Sequence, residues 1–285
     1  MTIRIGISGW TYPPWRGNFY PQGLRQTDEL AYAARQFSSI EINGTFYGLQ
    51  RPASFAAWFA ETPDDFVFAV KAPRFITHIR RLRDVAAPVA NFLASGLLRL
   101  GPKLGPILWQ FPPNFRFDAD LIERFLALLP HDTVSAAAMA RLHDARLDGR
   151  DWVETDANRQ LRHAMEIRHE SFVDRRFIDL LRAHGVALVC ADTPEWPRLA
   201  DVTADFIYAR LHGAEQLYAS GYDAQAIAAW AARVRAWAAG GTPEDLARVA
   251  PKARRRARDV YVYFDNDMKV LAPRDAHALT RSVHL

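Results

Sequence analysis

A single cysteine, Cys190, stands in a chain of 285 residues. An intramolecular disulfide and a zinc site built from cysteines of one chain are therefore excluded. Cys190 lies in the apolar run 186–191, with no activating neighbour in sequence, so a buried, inert thiol is expected rather than a nucleophile. No stretch approaches the roughly 18 uninterrupted apolar residues of a membrane-spanning helix. Residues 1–9 enter a strand-like pattern without the architecture of a secretory leader. A cytoplasmic protein without membrane association is expected. Also missing are a Gly-rich phosphate loop, a His-Glu-x-x-His zinc motif and a Gly-x-Ser-x-Gly nucleophile elbow. The enzyme classes built on them lose their simplest support.

What is present is apolar mass in a regular rhythm. The chain is 49% hydrophobic and 24% charged, a composition that buries a large core. Its formal net charge of +4 slightly favours anionic partners without identifying nucleic acid. Eight short strand-like runs alternate with helical patterns, the signature of parallel β/α units. The runs are Ile3–Gly9, Ser39–Asn43, Phe66–Lys71, Pro106–Phe111, His163–His169, Ala187–Asp192, Phe206–His212 and Val260–Asp265. Helices are predicted over Thr27–Phe37, Pro52–Thr62, Ala119–Leu129, Arg175–His184 and Ala224–Ala239. Eight such strands in a chain of this length predict one α/β domain spanning 1–285, a closed eight-stranded parallel TIM-barrel-like fold. Two segments lengthen that plan as helical insertions, near 131–158 and 240–258. In the second, Thr242 followed by Pro243 reads as an N-cap and first helical position, predicting a helix from Pro243 to about Arg258. Its basic end would then oppose the helix dipole, a reading preferred to a nucleic-acid footprint.

Alternate residues of a strand point to opposite faces, so parity sorts each run into two sets. Ile3, Ile5 and Ile7 oppose Arg4, Gly6 and Ser8; Ile40 and Ile42 oppose Glu41 and Asn43; Ile207, Ala209 and Leu211 oppose Tyr208, Arg210 and His212. If the bulky apolar sets meet the outer helices, the inward set holds Arg4, Glu41, Asn43, Lys71, Gln110, Glu166, Arg168, Asp192, Arg210, His212 and Asp265. Barrel interiors are ordinarily filled by branched apolar residues, and buried charge is costly unless paired. Most of this set falls near strand C-terminal ends, where β/α-barrel sites are built, and this favours function. A self-neutralising scaffold is the competing account, because four carboxylates (Glu41, Glu166, Asp192, Asp265) face four cations (Arg4, Lys71, Arg168, Arg210). Trp10, Tyr12, Trp15, Phe19 and Tyr20 crowd the stretch after the first strand, where aromatics either stack on a ligand or pack a loop. His78 and His169 follow strand ends and are read as hydrogen-bonding residues rather than catalysts.

At these residues the chain resembles the domain of unknown function 72 (YecE-like) family over nearly its whole length. The resemblance rests on GISGWTYPPWRGNFYP (6–21), EINGTFY (41–47), FAVKAPRFITH (68–78), LGPILWQFPPNF (104–115), EIRHESF (166–172), YARLHG (208–213) and YVYFDND (261–267). In the commonest family form of the last segment two asparagines follow the phenylalanine, so Asp265 is a departure. The resemblance implies a TIM-barrel-like fold and a pocket, and brings no activity with it.

Three functions fit the residues. The first is a metal- and cofactor-independent hydrolase or lyase acting on an anionic small molecule. Its catalytic group would be Glu166, His212, Asp192 and Glu41, and its substrate contacts Lys71, Arg168, Arg210, Asn43, Gln110, Trp10, Tyr12 and Asp265. The second is a nucleic-acid-binding or metal-dependent phosphodiester hydrolase, similar to endonuclease IV in architecture only, with Glu41, Glu166, Asp192 and His212 as ligands. Metal barrels usually offer more histidines, and the nearby cations repel a divalent ion, so it ranks second. The third is a binding module without catalysis. The sequence leaves substrate and oligomeric state open.

Overall fold

A computed structural model describes residues 1–213, 217, 220–266 and 270–284. Its strands are β1 (Ile3–Ser8), β2 (Ser39–Ile42), β3 (Val67–Lys71), β4 (Leu104–Gln110), β5 (His163–Glu166), β6 (Ala187–Asp192), β7 (Phe206–Leu211) and β8 (Asp259–Phe264). Each pairs in parallel with its sequence neighbour, and β8 returns to β1 in the register Ile3 to Val260, so the barrel is closed. Gly6 permits the seam between β1 and β2, since a Cβ there would lie 1.8 Å from the Ser39 carbonyl oxygen.

The helices are α1 (Glu29–Gln36), α2 (Gly44–Tyr47), α3 (Pro52–Ala60), α4 (Ala86–Ala94), α5 (Ala119–Leu128), α6 (Thr133–Ala140), α7 (Arg175–Ala183), α8 (Ala224–Ala238) and α9 (Leu271–Val283). Aspartate N-caps start four of them: Asp118, Asp132, Asp174 and Asp223 accept from the backbone N–H groups of Leu121, Ser135, Arg176 and Ala226. Each such cap satisfies a donor the helix cannot pair internally.

Strand parity divides the apolar residues into two layers, as the sequence pattern predicts. Ile5, Ile7, Ile40, Ile42, Phe68, Val70, Trp109 and Met165 belong to the layer between sheet and helices. The inner cluster is smaller and of different composition: Ala69, Leu108, Ala164, Ala187, Val189, Phe206, Tyr208, Tyr261 and Tyr263. Alanines on three strands make room for tyrosine rings from β7 and β8, whose hydroxyls begin the polar interior. Cys190 is buried in the outer layer, and burial, then Asp192, pushes its thiol up to about 12.

Four expectations are corrected. No helix spans Pro243–Arg258: after Gly240 the backbone is irregular, and residues 251–258 carry no regular structure. Asp201 accepts from Val249 N and Ala250 N, while the Arg258 guanidinium takes the carbonyls of Gly240, Arg254 and Arg256. Tertiary partners thus use the groups a helix would pair internally, and Pro251 lacks an N–H. The segment 131–158 holds only the eight-residue α6 and a single 3-10 turn, Ala145–Leu147, among its regular elements.

Asp192 does not point inward. It keeps the parity of Leu188 and Cys190, so its carboxylate meets Trp230 Nε1 of α8 (2.9 Å) and Arg198 Nη1 (2.5 Å). Arg4, near the start of β1, serves the opposite end of the barrel, donating to the carbonyls of Ser38 and Asp65.

Candidate functional site

At the strand C-terminal end one guanidinium organises three carboxylates. Arg210 of β7 is wholly buried. Its Nε and Nη2 donate to Glu41 Oε2 (3.1 Å) and Oε1 (2.8 Å), its Nη1 to Glu166 Oε2 (2.7 Å), and Nη2 also to Asp265 Oδ2 (2.8 Å). Ser8 donates to Glu41 Oε1 (2.5 Å) and Tyr208 to Glu41 Oε2 (2.5 Å), which anchors the set to the inner tyrosine layer. Barrel closure makes the convergence possible, because β2, β5, β7 and the end of β8 supply the four groups.

His212 follows β7 with its Nδ1 3.0 Å from Asp265 Oδ2 and its Nε2 3.6 Å from Glu166 Oε2. Arg168 donates from Nε and Nη2 to Glu166 Oε1, both at 2.8 Å, and lies 4.2 Å over the Trp196 ring. Trp196 also meets His212 edge-on at 5.6 Å. Lys71 ends β3 with its ammonium 4.3 Å over Phe46 of α2.

These surroundings set the charge states. Burial alone would neutralise Glu166, yet Arg210 and Arg168 hold its carboxyl well below the usual range. Asp265 is likewise held down against burial, by Arg210 and His212. Burial also works against the charge of Arg210, and Asp265, Glu41 and Glu166 outweigh it. Lys71 goes the other way: burial and then Arg210 lower it to about 8, with Asp265, Glu41 and Glu166 only partly opposing. His78 is pushed down to about 4 by burial and then by Arg168 and Lys71.

Exposure separates two tiers. Ser8, Glu41, Glu166, Arg210 and His212 are sealed, whereas Lys71 and Asp265 retain 9% and 8% exposure and Asn43 and Arg168 are more open. Gln110, paired in register with Glu166, retains 5%. The buried oxygens Gln110 Oε1 and Asn43 Oδ1 have no hydrogen-bond partner among the described residues. Such acceptors are costly to leave unmet, and they suit a ligand's donors.

Among the sequence-predicted residues, Glu41, Lys71, Gln110, Glu166, Arg168, Arg210, His212 and Asp265 therefore share this mouth, whereas Asp192, at the same end of the barrel, faces outward. Trp10 and Tyr12 stand aside, lining with Asn43, Tyr47, Gln50 and Trp58 a separate cavity of about 240 Å³ between the loops after β1 and β2. Trp15 and Tyr20 pack into the core. The four-ligand set Glu41, Glu166, Asp192 and His212 is dispersed by the outward Asp192. No group of three or more His, Cys, Asp or Glu side chains able to hold a metal occurs among the described residues. Sequence reasoning missed Ser8 and Tyr208, although their parity was inward, because a hydroxyl and a ring do not announce charge. Phe46 and Trp196 carry no strand parity and gave no signal. Asp267, at the end of the last family-like segment, lies outside the described residues.

Among the described residues no helix is long and apolar enough to cross a membrane. Curated relatives include UPF0759 protein YecE of Escherichia coli (strain K12), 34% identical over 113 residues, and UPF0759 protein YunF of Bacillus subtilis (strain 168), 29% identical over 118. These matches cover 40% of this chain and about two fifths of each relative, 39% and 41%. The fold resembles that of a DUF72 family protein from Thermotoga maritima MSB8 (TM-score 0.74, 24% identity, all of both chains covered). It also resembles one from Enterococcus faecalis V583 (TM-score 0.68, 17% identity, 100% of this chain and 96% of that one). The family described as "Protein of unknown function DUF72" matches from residue 4 to residue 285, and with that match the chain belongs to the DUF72 family.

Proposed function

We propose that the strand C-terminal mouth is a metal-independent site for an anionic small molecule, worked by acid/base chemistry of the hydrolase or lyase type in the cytoplasm. The observation that carries this reading is Arg210 at the point where Glu41, Glu166 and Asp265 converge. A divalent ion drawn to three carboxylates would have to displace a guanidinium already bonded to all of them. Arg210 is thereby reassigned from ligand contact to a positioning residue, since it is sealed and engaged with all three acids.

The ligand then meets the upper tier. Lys71 and Arg168 supply positive charge, and Gln110 supplies an acceptor for its hydroxyl or amino groups. Proton transfer runs through Asp265, which keeps contact with solvent, and the sealed His212 imidazole bonded behind it. Glu166 is a poor general base because Arg210 and Arg168 hold it ionised. The cluster costs no reorganisation when charge develops, which is how preorganised sites act.

Thermal melting of the full chain with phosphate, sulfate, sugar phosphates, 2-oxo acids and short oligonucleotides tests the reading. A small anion at about 100 times its Kd adds about 2.7 kcal/mol of stability. That stabilisation disappears in Arg168→Gln. A shift with oligonucleotides alone favours the nucleic-acid reading, and no anion-dependent shift in the unaltered protein removes the proposal.

A further inference from the structure

Lysine is scarce in this chain: only Lys71, Lys103, Lys252 and Lys269 occur among 36 basic residues. Where a cation has a structural task, arginine almost always does it. Lys103 is an exception with an evident role, its ammonium held by Phe59 O (2.7 Å), Thr62 O (2.8 Å) and Thr62 Oγ1 (3.2 Å). Lys252 pairs with Glu244 on the surface, and Lys269 lies outside the described residues.

Lys71 is differently placed. Three carboxylates act on it, yet none is its ion-pair partner, and its ammonium has no hydrogen-bond acceptor among the described residues. The reason is visible in the cluster. Both oxygens of Glu41 are taken by Ser8, Tyr208 and Arg210, both of Glu166 by Arg210 and Arg168, and Oδ2 of Asp265 by Arg210 and His212. Among the described residues an aromatic ring holds the amine, at the tier that retains contact with solvent. An unmet amide oxygen, Gln110 Oε1, belongs to the same mouth.

We infer that Lys71 is a nucleophilic amine that condenses with the aldehyde or ketone group of a small anionic substrate to form an imine. The inference rests on the anion-binding reading of this mouth and adds its substrate class. The neutral amine gives its lone pair to the carbonyl carbon, forming C–N as the C=O π pair moves to oxygen. Proton transfer from nitrogen to oxygen gives the carbinolamine. A second proton on that oxygen lets the C–O bond break with loss of water, and the nitrogen lone pair forms C=N. The balance is amine plus carbonyl plus one proton giving a protonated imine plus water. Its positive charge is partly offset by Asp265, Glu41 and Glu166, against burial and Arg210. With its pKa near 8, roughly 300-fold more of Lys71 is unprotonated at pH 7 than of an ordinary lysine, a condition known to activate amine nucleophiles.

The test uses the full chain with three probes: pyruvate, glyceraldehyde 3-phosphate and pyridoxal 5′-phosphate. Each is reduced with cyanoborohydride, which delivers hydride to the imine carbon and fixes a secondary amine for peptide mapping. Lys71 is expected to carry the adduct at least tenfold faster than Lys252 at pH 7, with a labelling midpoint near pH 8. Lys71→Arg, which keeps the cation, should abolish that adduct with the melting temperature retained. Adducts spread evenly over the lysines, or none on Lys71 with any probe, overturn the inference. Melting with phosphate in the same samples separates the two ideas. An anion-dependent shift without trapping sinks the imine and leaves the binding site. Trapping on Lys71 without the shift keeps the amine chemistry and removes the requirement for an anion.

Discussion

The two ends of the barrel use the same ionic groups in opposite ways. At the N-terminal end Arg162 pairs with Asp259 (2.8 Å) and Asp205 (3.4 Å), and all three side chains keep 20% to 29% exposure. Nearby, Arg254, Arg255 and Arg256 are exposed on an irregular segment along a groove of about 720 Å³. At the C-terminal end Arg210, Glu41 and Glu166 are sealed from water. Partly solvated pairs gain little and are screened by salt. Sealed charges are tolerated only as a fully bonded unit, so removing one member exposes the desolvation cost of the others. A fold that needed only neutral packing would be served by apolar side chains, which is why the sealed end asks for a function and the solvated end does not.

The sharpest test of this contrast is a pair of substitutions. Arg210→Met leaves Glu41, Glu166 and Asp265 uncompensated and should cost about 3–5 kcal/mol in urea unfolding, whereas Arg162→Met should cost about 1 kcal/mol or less. Equal losses would erase the distinction between the ends.

Lys71 gives the next largest effect, with the opposite sign. The unfolded chain keeps this proton to about pH 10.4, while the folded protein releases it near 8. Between those values the unfolded state binds more protons, so stability rises with pH, and below 8 the full cost is present. Lys71→Met should therefore stabilise the protein at pH 7 by up to about 3 kcal/mol. This advantage should shrink towards zero between pH 8 and 10.5. A pH-independent difference in melting free energy would mean the lysine is not a buried cation.

Acid acts on the same end. Asp265 and Glu166 are held below their ordinary values, so their contribution is present above the unfolded pKa near 4 and is lost as pH falls through the folded values. Asp265→Asn should lose on the order of 2 kcal/mol at pH 7 and show a flatter decline below pH 4 than the unaltered protein. Identical acid-unfolding profiles would detach Asp265 from the network. The smallest effect concerns salt: 1 M NaCl should erase most of the Arg162→Met loss and leave that of Arg210→Met nearly unchanged. The corresponding measurement is denaturant midpoints at two ionic strengths.

The β/α rhythm and the inward parity of Glu41, Glu166, Arg210 and Tyr208 were legible in sequence. Both follow from local backbone geometry: a strand alternates its side chains whatever it pairs with, and parallel strands require crossovers. Parity, followed strictly, also assigns Asp192 to the face of Leu188 and Cys190, where Trp230 and Arg198 hold it. Its grouping with the inward acids came from charge rather than from alternation. The predicted helix at Pro243–Arg258 failed for a different reason. Asp201 and Arg258 take its backbone groups, and Asp201 is far enough along the chain to be invisible to local pattern.

Only the tertiary structure decided which charges are sealed and which meet solvent. Residues 41, 166, 210 and 265 meet because eight strands close into a ring, and the saturation of Arg210 and the lack of an ion-pair partner for Lys71 among the described residues are consequences of that meeting. Composition and alternation determine which side chains enter the barrel. The three-dimensional competition for a limited number of carboxylate oxygens determines which of them are left to act.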